Sequence, residues 1–193
     1  LPVQLAHSYD VPNTHKISGE VTALAPGQAN YRILVVDDQV DNQQLLIKLL
    51  EDVGFEVQKA GNGQAAIEQY SRYQPHFIWM DKCMPLMNGV EACHQIRALA
   101  KENNHTVKIV ALTASSLENE DQELLNTGDF DGIIHKPFRF EEIFSSMEAL
   151  LDIKFIRSSI NQEKTDTDTG IDLPLLMTNL PESLRQELIQ ACT

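Results

Sequence analysis

Cysteine is scarce. Three occur in 193 residues, Cys83, Cys93 and Cys192, at spacings that match neither a zinc motif nor a disulfide framework. This argues against a stapled secreted scaffold and for a reducing compartment. Long apolar runs are also missing, so no stretch is long enough to span a bilayer, and no signal peptide is present. Basic residues are few: 15 Lys and Arg against 28 Asp and Glu give a formal net charge of −13. That balance disfavours a nucleic-acid-binding surface. It suits a site that gathers cations or a partner with a basic face, plain solubility being the simpler use. No internal repeat occurs. The first residue is Leu1 rather than Met, which reads as a fragment or a processed chain and leaves a membrane anchor elsewhere in a longer parent open.

What is present is an alternation of short β-branched runs with amphipathic helices, in a chain whose hydrophobic fraction of 42% is ordinary for a globular protein. The first run, Tyr31 to Val36, ends in Asp37 and Asp38. A continuous apolar run of this length predicts a strand buried on both faces of a parallel sheet. A helix follows over Val40 to Val53, with Leu45, Leu46, Leu49, Leu50 and Val53 on one face and Gly54 as its stop. Further strands are expected at Phe55 to Lys59, His76 to Met80, Val107 to Leu112 and Gly132 to His135. Between and after them come helices capped by Asn62, running from Val90 to Lys101, opened by Ser115 with Glu118, and running from Phe140 to Leu151. Strands alternating with helices predict an α/β doubly wound sheet of five parallel strands, order 2-1-3-4-5, with helices on both faces. Residues 1–29 read as a linker with an extended piece at Glu20 to Leu24. Residues 30–152 form the domain, 153–172 a flexible acidic linker, and 173–193 a helical tail or the start of a further domain.

In such a sheet the carboxyl ends of the strands form one rim, where open α/β folds place their chemistry. The rim collects Asp37 and Asp38 from the first strand, Asp81 from the third, Thr113 from the fourth, and Lys136 before Pro137 from the fifth. Three carboxylates, a hydroxyl and an ammonium make poor core but a good phosphoryl-transfer site. Taken alone, Asp37 and Asp38 could equally cap the helix that follows them. With Asp81 they offer oxygen ligands to a divalent cation, Mg²⁺ or Mn²⁺. Asp81 is the candidate nucleophile for an aspartyl phosphate. Lys136 and Thr113 would hold the phosphoryl oxygens, and a cis Lys136–Pro137 bond would aim the lysine.

The segments Val-Val-Asp-Asp38, Met-Asp81-Lys-Cys-Met-Pro-Leu-Met-Asn-Gly89, Ala-Leu-Thr113-Ala and Lys136-Pro-Phe stand in order and well spaced. Together they resemble the receiver domain of two-component signalling, over Tyr31 to Asp152. The resemblance implies a flavodoxin-like sheet, Mg²⁺-dependent transfer of a phosphoryl group from a phosphohistidine to Asp81, and its later hydrolysis. It also implies a metal ligand in the backbone carbonyl of Cys83, a structural role for Gly89 and Pro137, and a switch role for Thr113 with the residue three before the lysine. That residue is Ile133, where the family usually carries Tyr or Phe, so the coupling to the face built from the fourth helix, fifth strand and fifth helix departs from the pattern.

The flanks, Leu24-Ala-Pro-Gly-Gln28 and the tail with Leu173-Pro and Leu180-Pro, resemble segments around receivers of hybrid sensor histidine kinases, cyanobacterial ones in particular. The implied partners are a phosphohistidine-bearing kinase domain and a histidine phosphotransfer protein, with a homodimer through the switch face as a further option. Neither nucleic acid nor membrane contact is expected of this stretch, and a cytoplasmic location is. No kinase core is present, so any catalysis is confined to phosphorylation and dephosphorylation at Asp81. Two other readings are a phosphorylation-independent docking module, to which Ile133 gives some weight but against which the intact Asp37, Asp38, Asp81, Thr113 and Lys136 set argues, and an aspartyl-phosphate phosphatase, which lacks an inserted substrate cap. A transcription factor would need a DNA-binding domain elsewhere in a longer parent.

Overall fold

Alternate residues along each central strand divide between two apolar layers, and this split organises the molecule. The computed structural model describes residues 20–114 and 118–158. The elements run β1 Val21–Leu24, β2 Arg32–Val36, α1 Val40–Asp52, β3 Glu56–Ala60, α2 Gly63–Tyr73, β4 Phe77–Asp81, α3 Gly89–Glu102, β5 Lys108–Thr113, α4 Glu118–Asn126, β6 Gly132–His135, α5 Phe140–Leu151 and β7 Phe155–Arg157. Five strands form a parallel sheet in the order β3-β2-β4-β5-β6, which is the expected 2-1-3-4-5. On one face Ile33, Val35, Phe77, Trp79, Val110 and Leu112 pack against Leu46 and Leu50 of α1 and Ile143, Phe144 and Met147 of α5. On the other, Leu34, Val36, Ile78, Met80, Ile109 and Ala111 pack against Ala66 and Tyr70 of α2, Ala92, Cys93 and Ile96 of α3, and Leu124 of α4. Burial on both faces is why these strands read as continuous apolar runs rather than as alternations.

Local signals set the element ends. The Asn62 side chain accepts from Ala65 N at 2.9 Å and caps α2, as expected. Asn88, expected within a loop, caps α3 in the same way by accepting from Glu91 N at 2.9 Å. Past α1 the chain turns at Gly54, whose φ of 106° suits glycine. Strands β3, β4 and β5 each start and end one residue later than expected.

The flanks carry structure beyond the extended piece expected at Glu20 to Leu24. Residues 20–24 and 153–158 are not linkers: β1 and β7 pair as an antiparallel ribbon. Thr22 Oγ1 donates to Ile156 O, and Ser158 N donates to Glu20 O at 2.8 Å. The Gln28 side chain reads both strands' approaches, donating to Ala25 O and Lys154 O while accepting from Lys154 N. The ribbon is seated by apolar contact, with Ile153 buried and the Phe155 ring edge-on to Phe55 at 6.0 Å and to Phe144 at 4.9 Å. A three-residue strand carries no readable period, and its partner lies more than 130 residues away in sequence, so nothing local announces it. The described residues therefore include a paired ribbon on either side of the expected bounds of 30–152. The expected tail at 173–193, residues 1–19 and 159–172 of the two linkers and Ser115 of the expected capping box lie outside the described residues.

Candidate functional site

The parallel sheet delivers its acids to one rim. Asp37 follows the last residue of β2 and is buried, as is Asp81 at the end of β4, while Asp38 stays exposed beside them. Carboxylate oxygens of Asp37, Asp38 and Asp81 all lie within 4.8 Å of one another. Lys136, one residue past β6, enters this acidic cluster and donates from Nζ to Asp37 Oδ2 at 2.7 Å and to Asp81 Oδ2 at 2.9 Å. The Lys136–Pro137 bond is cis. The alternative in which Asp37 and Asp38 cap α1 does not hold, because Gln39 occupies the cap position. Asp37 Oδ1 instead accepts from Gln39 N at 2.9 Å, a turn that holds the carboxylate toward the cluster.

Two carboxylates this deep destabilise each other, and the direction of the titration shifts shows which effect prevails. Burial pushes Asp81 above the usual carboxylate range. The Lys136 ammonium and the Cys83 N–H draw it back, and the Asp37 charge adds to the rise. For Lys136, burial works against the charge, but its hydrogen bonds to Asp37 and Asp81 outweigh it and the net direction is upward. A simple ion pair would lower the acid. Here Asp81 rises because the cost of burying its charge exceeds what the ammonium and the Cys83 N–H return, with the Asp37 charge adding a smaller push. Such a cluster has the oxygen ligands and the excess negative charge that a hard divalent cation requires.

The remaining expected residues fall around this core. Thr113 ends β5, is buried, and its carbonyl accepts from Lys136 N at 2.7 Å. Cys83 donates its N–H to Asp81 Oδ1 at 3.3 Å, with its thiol exposed. Gly89 N donates to Lys82 O, and a Cβ at Gly89 would collide with the Asp81 carbonyl oxygen, so the loop can close under Asp81 only with glycine there. Ile133 is not brought to the cluster. It sits opposite Ala111 on β6 and packs with the apolar layer that includes Leu124 and Phe130.

Sequence reasoning missed Gln43. Its buried Nε2 donates to Asp37 O at 2.8 Å and Ala60 O at 2.6 Å, joining α1 to the ends of β2 and β3. A signal was available: Gln43 lies three residues before Leu46 and seven before Leu50, on the inward stripe of α1, where an amide needs a purpose.

Residues 33–148, more than half of the chain, match the model of the response regulator receiver domain. The chain belongs to that family. The receiver is 40% identical over 107 residues to the sensor protein GacS of Pseudomonas syringae pv. syringae, covering 55% of this chain and 12% of that protein. It spans about a tenth of the length of the histidine kinases it matches. Among solved structures, it superposes on the receiver domain of the sensor histidine kinase PA1611 from Pseudomonas aeruginosa, which has a magnesium ion coordinated in its active-site cleft. The TM-score is 0.57 and the identity 28%, with 64% of this chain and 99% of that one covered. The co-crystal structure of the Saccharomyces cerevisiae histidine phosphotransfer protein Ypd1 with the receiver domain of its downstream regulator Ssk1 matches at a TM-score of 0.59 and 29% identity, covering 63% of this chain and 88% of that one. These matches establish the receiver fold and its flavodoxin-like sheet.

Proposed function

We propose that this receiver accepts a phosphoryl group on Asp81 from a phosphohistidine. The observation that carries the reading is the gathering of Asp37, Asp38 and Asp81 oxygens within 4.8 Å of one another, with Lys136 bonded to Asp37 and Asp81. An Asp81 carboxylate oxygen attacks phosphorus as the phosphorus–nitrogen bond to the imidazole breaks, and the leaving imidazole takes up a proton. Asp37, Asp38, Asp81 and the Cys83 carbonyl would hold Mg²⁺, which when bound neutralises charge on the transferring oxygens; Mn²⁺ fits the same ligands. Lys136 keeps a positive charge beside those oxygens and, with Asp37, fixes the nucleophile. Thr113, buried at the end of β5, would donate its hydroxyl to the incoming group.

Intact-mass analysis after incubation with a small-molecule phosphodonor and Mg²⁺ tests this. One added phosphoryl group is expected, lost on omission of the metal and in Asp81→Asn. An unchanged mass where a control receiver labels would overturn the reading. Replacing Mg²⁺ by Mn²⁺ is expected to retain labelling.

The partner side of the reading is a kinase domain or a histidine phosphotransfer protein in a phosphorelay, with a hybrid histidine kinase as the longer protein and the cytoplasm as its place. Support comes from Val40, Leu86 and Phe140, exposed by 58%, 91% and 46%, which open α1, occupy the loop after Asp81 and open α5. Apolar side chains around a charged cleft suit a partner that brings its histidine into the middle of an apolar contact. Among the described residues no helix is long and apolar enough to cross a membrane. Self-association is a second possibility, through the groove of about 750 Å³ that runs along edge strand β6 and α5 past Ile133, Ile134 and Leu150. A concentration-dependent mass in solution would reveal it.

A further inference from the structure

α4 is seated unlike the other helices. Of its described side chains from Glu120 onward, Leu124 alone is buried, and Leu125 is 43% exposed. By contrast α5 buries Ile143, Phe144, Met147 and Leu151. The α4 segment is also acidic, with Glu120, Asp121 and Glu123 in its sequence and no basic residue. It therefore brings anions near a rim that already holds Asp37, Asp38 and Asp81.

Among the described residues, two ion pairs tie it there, and each uses the sequence neighbour of a candidate site residue. Lys82, next to Asp81, places Nζ 2.9 Å from Glu120 Oε2. His135, next to Lys136, places Nε2 2.9 Å from Asp121 Oδ2. The Lys82 backbone is fixed, its N–H donating to Leu112 O and its carbonyl accepting from Gly89 N. Its side chain is the adjustable part. It lines both the groove that contains Asp38 and Cys83 and the cleft that contains Glu120, Glu123 and Leu124. One ammonium thus stands between two groups of anions.

We propose that Lys82 is a positioning residue that latches α4 to the rim through Glu120, with the His135–Asp121 pair as the second tie. Negative charge arriving on Asp81 draws Lys82 toward the site and frees α4. The release step rests on the phosphoacceptor reading of Asp81. A phosphoryl group carries a charge of about −1.5 to −2 at neutral pH, whereas a partly exposed ion pair is weak, so the added anion can outcompete Glu120. Coupling of this kind needs no aromatic side chain at Ile133.

Hydrogen–deuterium exchange across α4 tests the latch. The 193-residue chain is compared in Mg²⁺ alone and in Mg²⁺ with beryllofluoride as the phosphoryl mimic, so that the two arms differ only by the added anion, with uptake read by fluorine NMR. Loading is expected to raise α4 exchange a few-fold. Lys82→Met and Glu120→Gln are expected to show that rise unloaded, with little added by loading, while Lys82→Arg behaves as wild type. The charge-reversed pair, Lys82→Glu with Glu120→Lys, separates a latch from a mere strut. It restores protection when unloaded, but loading no longer releases α4, because the side chain next to Asp81 is then an anion and is not drawn to the added charge. Normal release in the reversed pair, or unloaded Lys82→Met exchanging as wild type, would overturn the proposal. A wild type that takes up neither beryllofluoride nor, by mass, a phosphoryl group overturns the phosphoacceptor reading and the release step with it. A loaded wild type whose α4 exchange does not rise overturns the release step alone.

Discussion

The two poles of the sheet are built on opposite plans. At the carboxyl rim, buried carboxylates crowd around one lysine, and the charges are only partly offset. At the opposite pole, the β1–β7 ribbon closes the layer of α1 and α5 with aromatic contacts, and the rings of Tyr31, His76, His105 and Tyr70 form a chain of neighbours. Arg32 N donates to His76 Nδ1 at 3.0 Å, and the Tyr70 hydroxyl lies 3.1 Å from His105 Nδ1. The difference teaches that one scaffold can carry destabilising groups at one end because the other end supplies packing. Substitutions at the rim should alter chemistry more than stability, and those at the ribbon pole the reverse.

Gly89→Ala is the sharpest way to break this division, since it lies at the rim yet is structural. The added methyl meets backbone that cannot retreat, so a loss of about 3 kcal/mol in denaturant unfolding is expected, together with slower labelling of Asp81. Phe155→Ala removes the ring held between Phe55 and Phe144. About 2 kcal/mol of stability should go, with the extent of labelling unchanged at a temperature where the protein stays folded.

The histidines give a pH test of the same pole. Burial, with the Arg32 charge adding to it, holds His76 and His105 below the ordinary histidine range, and each also lies beside the other's ring. Because the folded values lie below the unfolded value of about 6.5, the unfolded chain binds protons first as pH falls. Their contribution is complete above that value and is lost on acidification. Between about pH 7.5 and 5.5 stability should drop by about 1–2 kcal/mol, and His105→Gln should flatten the slope. Smallest in size and opposite in sign is Asp81→Asn. Asp81 titrates above its unfolded value, so its ionised form costs stability at neutral pH. The amide should raise the melting temperature by an amount equivalent to about 1 kcal/mol while abolishing labelling, with Lys136 keeping Asp37.

The rim was far more legible in the sequence than the ribbon, for a physical reason. Asp38, Asp81, Thr113 and Lys136 each follow or end a buried strand, so hydrophobic runs announce their places and the parallel topology brings them together. Gln43 and the Lys82–Glu120 pair were harder to find, because they depend on which helix face meets which loop rather than on strand ends. The pairing of Val21–Leu24 with Phe155–Arg157 was illegible, since short strands gain their stability from a surface that exists only after the rest has folded. The cap at Asn88 was readable in principle, as an Asn-Gly step before an apolar helix, but resembled a turn equally well.

The hydrogen bond from Ser158 N to Glu20 O has a consequence for how such a module sits in a longer polypeptide. The stretch from Glu20 to Ser158 begins and ends at hydrogen-bonded neighbours, so it is a closed bight on the backbone. A unit with that geometry can be spliced into or out of a loop with little change in the spacing of the parts on either side.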